Sequence, residues 1–66
     1  MEIYDALRIA VEELRARPMF REEYKLTASR VDGEWVFWFV FLPVTFGTDV
    51  TVFVADDKAT RILTGF

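Results

Sequence analysis

Apolar residues in the first part of the chain recur at helical spacing. Pro18 cannot continue a helix, and it biases the residue before it away from helical geometry. The pattern therefore predicts one amphipathic helix over about residues 2–17. The apolar stripe of this helix has five members: Ile3, Leu7, Ala10, Val11 and Leu14.

The period of the pattern changes from helical spacing to strict alternation after residue 22. Tyr24, Leu26 and Ala28 alternate with polar residues, which is typical of a half-buried strand. The segment that follows the next turn is rich in aromatic and β-branched residues, as strands are. The alternation predicts two strands, over about residues 22–31 and 34–42.

The pair Asp32-Gly33 separates these two strands and predicts a β-hairpin. A type I′ turn needs positive φ at both of its central residues, which this pair tolerates. A two-residue turn also sets the register, so that Val31 faces Glu34 across the hairpin. One face of the sheet then carries an apolar set suited to cover by the helix: Tyr24, Leu26, Ala28, Trp35, Phe37, Phe39 and Phe41.

The rest of the chain predicts two further strands. Residues 43–48 contain a proline and a glycine and indicate a loop. Residues 49–55 are rich in valine and threonine, and a turn over Asp56-Asp57-Lys58-Ala59 leads to a short strand over residues 60–64. We therefore expect a single domain over residues 1–66 of the α+β class. It consists of one N-terminal helix packed on a three- to four-stranded antiparallel meander.

Composition and charge narrow the classes of function. Of the 66 residues, 53% are hydrophobic and 17% aromatic, so the chain has enough apolar bulk to fold. The net charge of −3 argues against a nucleic-acid partner, which needs a basic stripe. The most apolar run, residues 35–42, is far shorter than a membrane span of about 20 residues. We expect no membrane association and a cytoplasmic location.

The residue types needed for catalysis or metal binding are scarce. The chain has no cysteine and no histidine, so the commonest nucleophile–base pairs and thiolate metal sites cannot form. Ser29 is the only serine, and Asp56-Asp57 is best explained as a turn. The three glycines are isolated and form no phosphate-binding loop. We expect no catalytic residue, no cofactor and no metal.

The face of the sheet turned away from the helix is less polar than contact with water alone requires. It predicts an interaction surface around Trp38, and three explanations compete for it: a homodimer first, a heterologous protein partner second, and an idle patch third. A single-stranded nucleic-acid platform is a distant fourth because of the acidic balance. The candidate surface comprises Val36, Trp38, Val40, Phe53 and Ile62.

A different class of function is a small-ligand binder or minimal enzyme. Its pocket would lie between the helix and the sheet and would use Tyr24, Arg30 and Trp35. The two hypotheses predict different oligomeric states, since a ligand-binding monomer does not need a partner subunit.

Three features of the chain form a recognisable outline: the N-terminal helix, the strand Gly33-Glu34-Trp35-Val36-Phe37-Trp38-Phe39, and the segment Val52-Phe53-Val54-Ala55-Asp56-Asp57-Lys58. In these features the chain resembles small bacterial immunity proteins of the YrhB-like kind. The same outline is similar to PepSY-like and cystatin-like domains, in which a helix precedes a meander. The resemblance to immunity proteins implies a non-catalytic protein that binds and blocks another protein.

Overall fold

One helix precedes a four-stranded sheet in the computed structural model, which describes residues 1–43 and 49–64. The strands form one antiparallel sheet in the order β1-β2-β3-β4. The predicted α+β class is thereby confirmed, with four strands in the sheet. The predicted loop over residues 43–48 lies, after Pro43, outside the described residues. The elements are α1 (Ile3–Arg15), β1 (Tyr24–Val31), β2 (Glu34–Phe41), β3 (Asp49–Ala55) and β4 (Thr60–Thr64).

Helix α1 is shorter than predicted by one residue at its start and two at its end. Ala16 caps the helix, and the N–H of Arg17 donates to the carbonyl of Leu14 at 2.9 Å in a tighter turn. Pro18 follows, which has no N–H to continue the helical pattern. Three side chains of α1 are fully buried: Ala6, Ala10 and Leu14.

The hairpin of β1 and β2 forms around the predicted two-residue turn. Asp32 has φ 48° and Gly33 has φ 78°, as a type I′ turn requires. Val31 pairs with Glu34, and the ladder continues without interruption to Tyr24 and Phe41. The predicted register of this hairpin is therefore confirmed along its whole length.

Strand β1 begins at Tyr24, two residues later than predicted, because of Pro43. In the hairpin register Pro43 would lie opposite Glu22, and proline has no N–H to donate to the ladder. The last bond of the hairpin is donated by the N–H of Leu42 to the carbonyl of Glu23, at 3.0 Å.

The core lies between α1 and the two central strands. Phe37 and Phe39 of β2 are fully buried, and so are Val52 and Val54 of β3. Each fully buried side chain of this size contributes about 1.5–3 kcal/mol to stability. The small side chains at Ala6 and Ala10 let the helix lie close to this layer. The helix thus covers β2 and β3, whereas β1 keeps an exposed inner side.

Candidate interaction surface

The outer face is the side of the sheet turned away from α1. Within residues 1–43 and 49–64, no helix or strand packs over it. The register of the sheet brings its central side chains into two neighbouring rows. One row runs Ser29, Val36, Phe53, Arg61, and the next runs Thr27, Trp38, Thr51, Leu63.

Trp38 is the largest side chain on the outer face and is 46% exposed. Its neighbours along β2, Val36 and Val40, are half-buried and point to the same side. The indole N–H donates to a carboxylate oxygen of Asp49 at 3.4 Å, which is a long and weak hydrogen bond. Trp38 thus presents a large apolar area to solvent with its polar group directed toward one end of the sheet.

Phe53 lies on β3 opposite Val36 and diagonal to Trp38, and it is half-buried under an arginine. The guanidinium carbon of Arg61 is 4.2 Å from the centre of the Phe53 ring, which is a cation–π contact. The same guanidinium forms an ion pair with Glu34 at 3.3 Å. The Arg61 side chain is 61% exposed, so this contact lies at the surface of the outer face.

The prediction placed Ile62 on the outer face, and this placement is wrong. Ile62 pairs with Val52 and packs against the core on the helix side. Its neighbour Leu63 points outward instead and is 56% exposed. The outer face therefore holds four of the five predicted residues, namely Val36, Trp38, Val40 and Phe53, and it gains Leu63.

Leu63 rather than Ile62 faces outward because the turn between β3 and β4 is one residue shorter than predicted. A turn of four residues would place Ala55 opposite Thr60, and Ile62 would then face outward beside Phe53. The N–H of Ala55 donates instead to the carbonyl of Ala59 at 2.9 Å, so the turn has three residues. Lys58 completes it in the left-handed region, at φ 73°. A change of one residue in pairing moves every side chain of a strand to the other face.

Charged residues surround the apolar centre of the outer face. Lys25 lies at the β1 edge and Arg61 at the β4 edge, while Glu34 and Asp49 lie at opposite ends of the central strands. The rim thus carries two cations and two anions. A surface of this kind favours neither a strongly acidic nor a strongly basic partner.

The three residues of the alternative pocket do not meet. Tyr24 pairs with Phe41 at one end of the hairpin, and its ring packs against Phe39 and Phe41. Arg30 and Trp35 pair with each other at the other end, next to the turn. The pocket predicted between helix and sheet is therefore not assembled from these residues.

Arg30 and Trp35 are instead engaged in a network at the start of the helix. Arg30 donates two hydrogen bonds to Asp56, at 2.8 and 3.0 Å, and lies 5.1 Å above the ring of Trp35. The indole N–H of Trp35 donates to the carbonyl of Met1 at 2.9 Å. The amino group of Met1 lies 3.6 Å from Asp56. Hydrogen bonds from Arg30 hold the pKa of Asp56 below its ordinary value of 3.8. Desolvation of the carboxylate has a weaker effect that raises the pKa, whereas the positive charges of Arg30 and the amino group lower it further.

The described residues include few groups that could act in catalysis or bind a metal ion. Among them, no group of three or more acidic, histidine or cysteine side chains could hold a metal ion. Ser29 is exposed on the outer face, in a row with Val36 rather than beside a base. An open depression lies over the first turns of α1 and the β3–β4 turn. It is lined by Met1, Asp5, Arg8, Ile9, Glu12, Asp56 and Lys58.

The geometry leaves the outer face as the most distinctive surface of the described structure. In the segments that the structure describes, no helix is both long and apolar enough to cross a membrane. No protein-family model matches the chain, and neither a similar curated protein nor a similar solved structure was found.

Proposed function

We propose that this chain is a non-enzymatic protein-interaction domain whose outer face binds a second copy of itself. The observation that carries the proposal is the set of accessible apolar side chains opposite the helix. Trp38 is 46% exposed and Leu63 is 56% exposed, and both lie in one row across the sheet. Exposed apolar areas rimmed by polar residues are typical of protein interaction sites.

The rim charges support a second copy as the partner. Two copies related by a two-fold axis present the same surface to each other, so a rim with both signs can pair with itself. Lys25 and Arg61 supply the positive groups, and Glu34 and Asp49 the negative ones. A rim of one sign would repel its own copy and would require a partner of opposite charge.

The size of the outer face makes the expected association a weak one. Four strands of eight, eight, seven and five residues, about 4.8 Å apart, cover about 440 Å² of flat area. A standard stable interface buries about 800 Å² on each partner. The outer face alone therefore supports a reversible dimer, and a tight complex would need additional contact area.

The experiment is a comparison of particle mass by sedimentation equilibrium over a range of concentrations. We expect the wild-type chain, of 7.7 kDa, to associate, and Trp38→Glu to lose the association through the outer face and so to have a lower particle mass than wild type. The introduced carboxylate would have to be desolvated at the centre of the interface, which strongly disfavours association.

The matched control is Ala16→Glu, which adds the same charge at an exposed position next to the end of α1, on the other side of the sheet. It should leave the particle mass unchanged. Circular dichroism and thermal unfolding must show that both variants are folded. A folded wild-type chain that stays monomeric at about 1 mM, or a Trp38→Glu variant of unchanged mass, would contradict the proposal.

A further inference from the structure

Strand β1 offers an open edge that is distinct from the outer face. It is the first strand in the sheet order, and all eight of its residues pair with β2 without a bulge. Among the described residues, none pairs with its other edge. Seven of the eight residues are exposed, although the strand is fully paired on one side. A long, regular and exposed edge is the geometry to which another strand can add.

The hydrogen-bond pattern identifies the groups that point away from β2. The N–H of Leu42 donates to the carbonyl of Glu23, so this pair belongs to the bonded set of the hairpin. Bonded and non-bonded pairs alternate along an antiparallel ladder. The odd-numbered residues of β1 therefore bond to β2. The even-numbered residues, such as Leu26 and Ala28, direct their N–H and C=O groups to the open edge.

The centre of this edge lacks the features that normally protect an edge strand. Prolines, bulges and charged side chains are the usual protection. Between Lys25 and Arg30 the strand reads Leu26-Thr27-Ala28-Ser29, with no charge and no proline. The opposite edge differs, because β4 has only five residues and carries Arg61. The two edges of the sheet are thus unequal, and β1 is the longer edge and the one whose centre carries no charge.

One flank of the helix extends this open edge with apolar side chains. Glu13 accepts a hydrogen bond from Thr60 at 3.4 Å, so its flank of α1 faces β4. Leu7 and Val11 lie on the opposite flank, toward β1, and Tyr4 beside them is 78% exposed. Leu26, on the same side of the sheet, is 38% exposed. An added strand would therefore find apolar contacts as well as free backbone groups.

We propose that β1 pairs with β1 of a second copy, antiparallel and centred on Thr27, so that the two sheets join into one. This pairing faces Thr27 with itself and Leu26 with Ala28 of the other copy. It satisfies the bonding pattern, because both Leu26 and Ala28 direct their backbone groups outward. It also places Lys25 opposite Ser29, so that no like charges meet, which is the condition for a strand to pair with itself. The inference concerns a different surface from the proposed function and does not depend on it.

The test separates the two surfaces by working in the Trp38→Glu background, where the outer face is disabled. We expect this variant to remain a dimer through β1. Adding Ala28→Pro should make it monomeric, because proline removes an N–H that points to the open edge and none that bonds to β2. The second variant, Leu26→Lys, places a charge at the centre of the edge and should have the same effect.

A disulfide reports the register directly, since the chain has no other cysteine. Facing residues of a non-bonded antiparallel pair have Cα atoms about 4.5 Å apart, which a disulfide spans. In the Trp38→Glu background, Thr27→Cys should give a covalent dimer under mild oxidation. Ser29→Cys is the matched control, on the same strand and the same side of the sheet. It lies four residues, or about 13 Å, from its own copy in this register and should not cross-link.

The outcomes distinguish failure of this inference from failure of the proposed function. If Trp38→Glu alone is a folded monomer, or Thr27→Cys cross-links no better than Ser29→Cys, the β1 pairing is wrong whatever the outer face does. If Ala28→Pro alone makes the chain monomeric while Trp38→Glu stays dimeric, the β1 pairing is supported and the outer-face proposal fails. With both surfaces active, each single variant is a dimer and the double variant is a monomer.

Discussion

Arg30 binds Asp56 through two hydrogen bonds of 2.8 and 3.0 Å, although the two residues lie 26 positions apart in the chain. The pair links the end of β1 to the turn between β3 and β4, across both central strands. The guanidinium also covers Trp35, whose indole N–H holds the carbonyl of Met1. One side chain thus connects the first strand, the last turn and the start of the chain.

The first prediction concerns the pH dependence of this link. The pKa of Asp56 is lowered in the folded state, so its carboxylate contributes stability above the ordinary value of 3.8, and this contribution is lost as the pH falls through the folded-state value. Asp56→Asn should be less stable than wild type at pH 7, and the difference should shrink as the pH falls below 3.8. Urea unfolding at several pH values measures it. A difference between wild type and Asp56→Asn that is independent of pH would contradict the assignment.

The second prediction concerns the turn between β1 and β2. Gly33 has φ 78°, and a Cβ there would meet no atom within 4 Å, so the cost of a side chain is one of backbone conformation alone. Gly33→Ala should lower the free energy of unfolding by about 1 kcal/mol, because an L-residue pays about 1–2 kcal/mol in the left-handed region. Gly33→Asn should lose less, since asparagine tolerates this region. Thermal unfolding measures the stability of the two variants. Equal losses of stability would mean that the left-handed backbone at residue 33 is not the cause.

The third prediction concerns Lys58, which adopts φ 73° in the turn between β3 and β4. Lys58→Gly removes a backbone cost of about 1–2 kcal/mol and adds about 0.5–1 kcal/mol of chain entropy in the unfolded state. We expect a gain of about 0.5–1 kcal/mol, or a rise in Tm of a few degrees for a domain of this size. Lys58→Ala keeps the unfavourable backbone and removes the same charge, so it should show no such gain.

The register of β1 and β2 could be predicted from the sequence because a two-residue turn permits only one pairing. The Asp32-Gly33 pair specified that turn, and the faces of both strands followed from it. The helix could be predicted from its apolar spacing, within two residues at each end.

The face of β4 could not be predicted in the same way. Its turn contains no glycine at the left-handed position, which is the usual sign of a three-residue turn. Lys58 occupies that position instead, so the sequence predicts a turn that is one residue longer than the observed one. The single charged residue of the strand was the remaining signal. If Arg61 faces outward, then Ile62, the next residue along the strand, must face the core.

The strands that the helix covers could not be predicted from the sequence either. Periodicity identifies which side of α1 is apolar, but it does not say over which strands the helix lies. The position of α1 over β2 and β3 follows from packing of Ala6 and Ala10 on the valines of β3 and the phenylalanines of β2. The exposed inner side of β1 is a consequence of that packing, and so is the open edge next to it.

The fourth prediction tests the face of β4 with two neighbouring residues. Ile62→Asp places a carboxylate against the core and should destabilise the fold by several kcal/mol. Leu63→Asp changes an exposed position and should leave the free energy of unfolding within about 1 kcal/mol of wild type. It should weaken association through the outer face instead. Chemical denaturation together with sedimentation distinguishes the two effects, and the reverse pattern would mean that β4 pairs in the other register.

The adjacent aliphatic residues of β4 carry little information about which way the strand faces. Ile62 and Leu63 are nearly equal in volume and in hydrophobicity. A shift of β4 by one residue along β3 would therefore bury Leu63 and expose Ile62 with a similar gain in free energy from burial. The shift would, however, turn Arg61 away from Glu34 and Phe53 and toward the apolar side of the sheet. The exposed arginine therefore favours the same alignment as the three-residue turn, in a strand where the two adjacent aliphatic residues do not distinguish the two alignments.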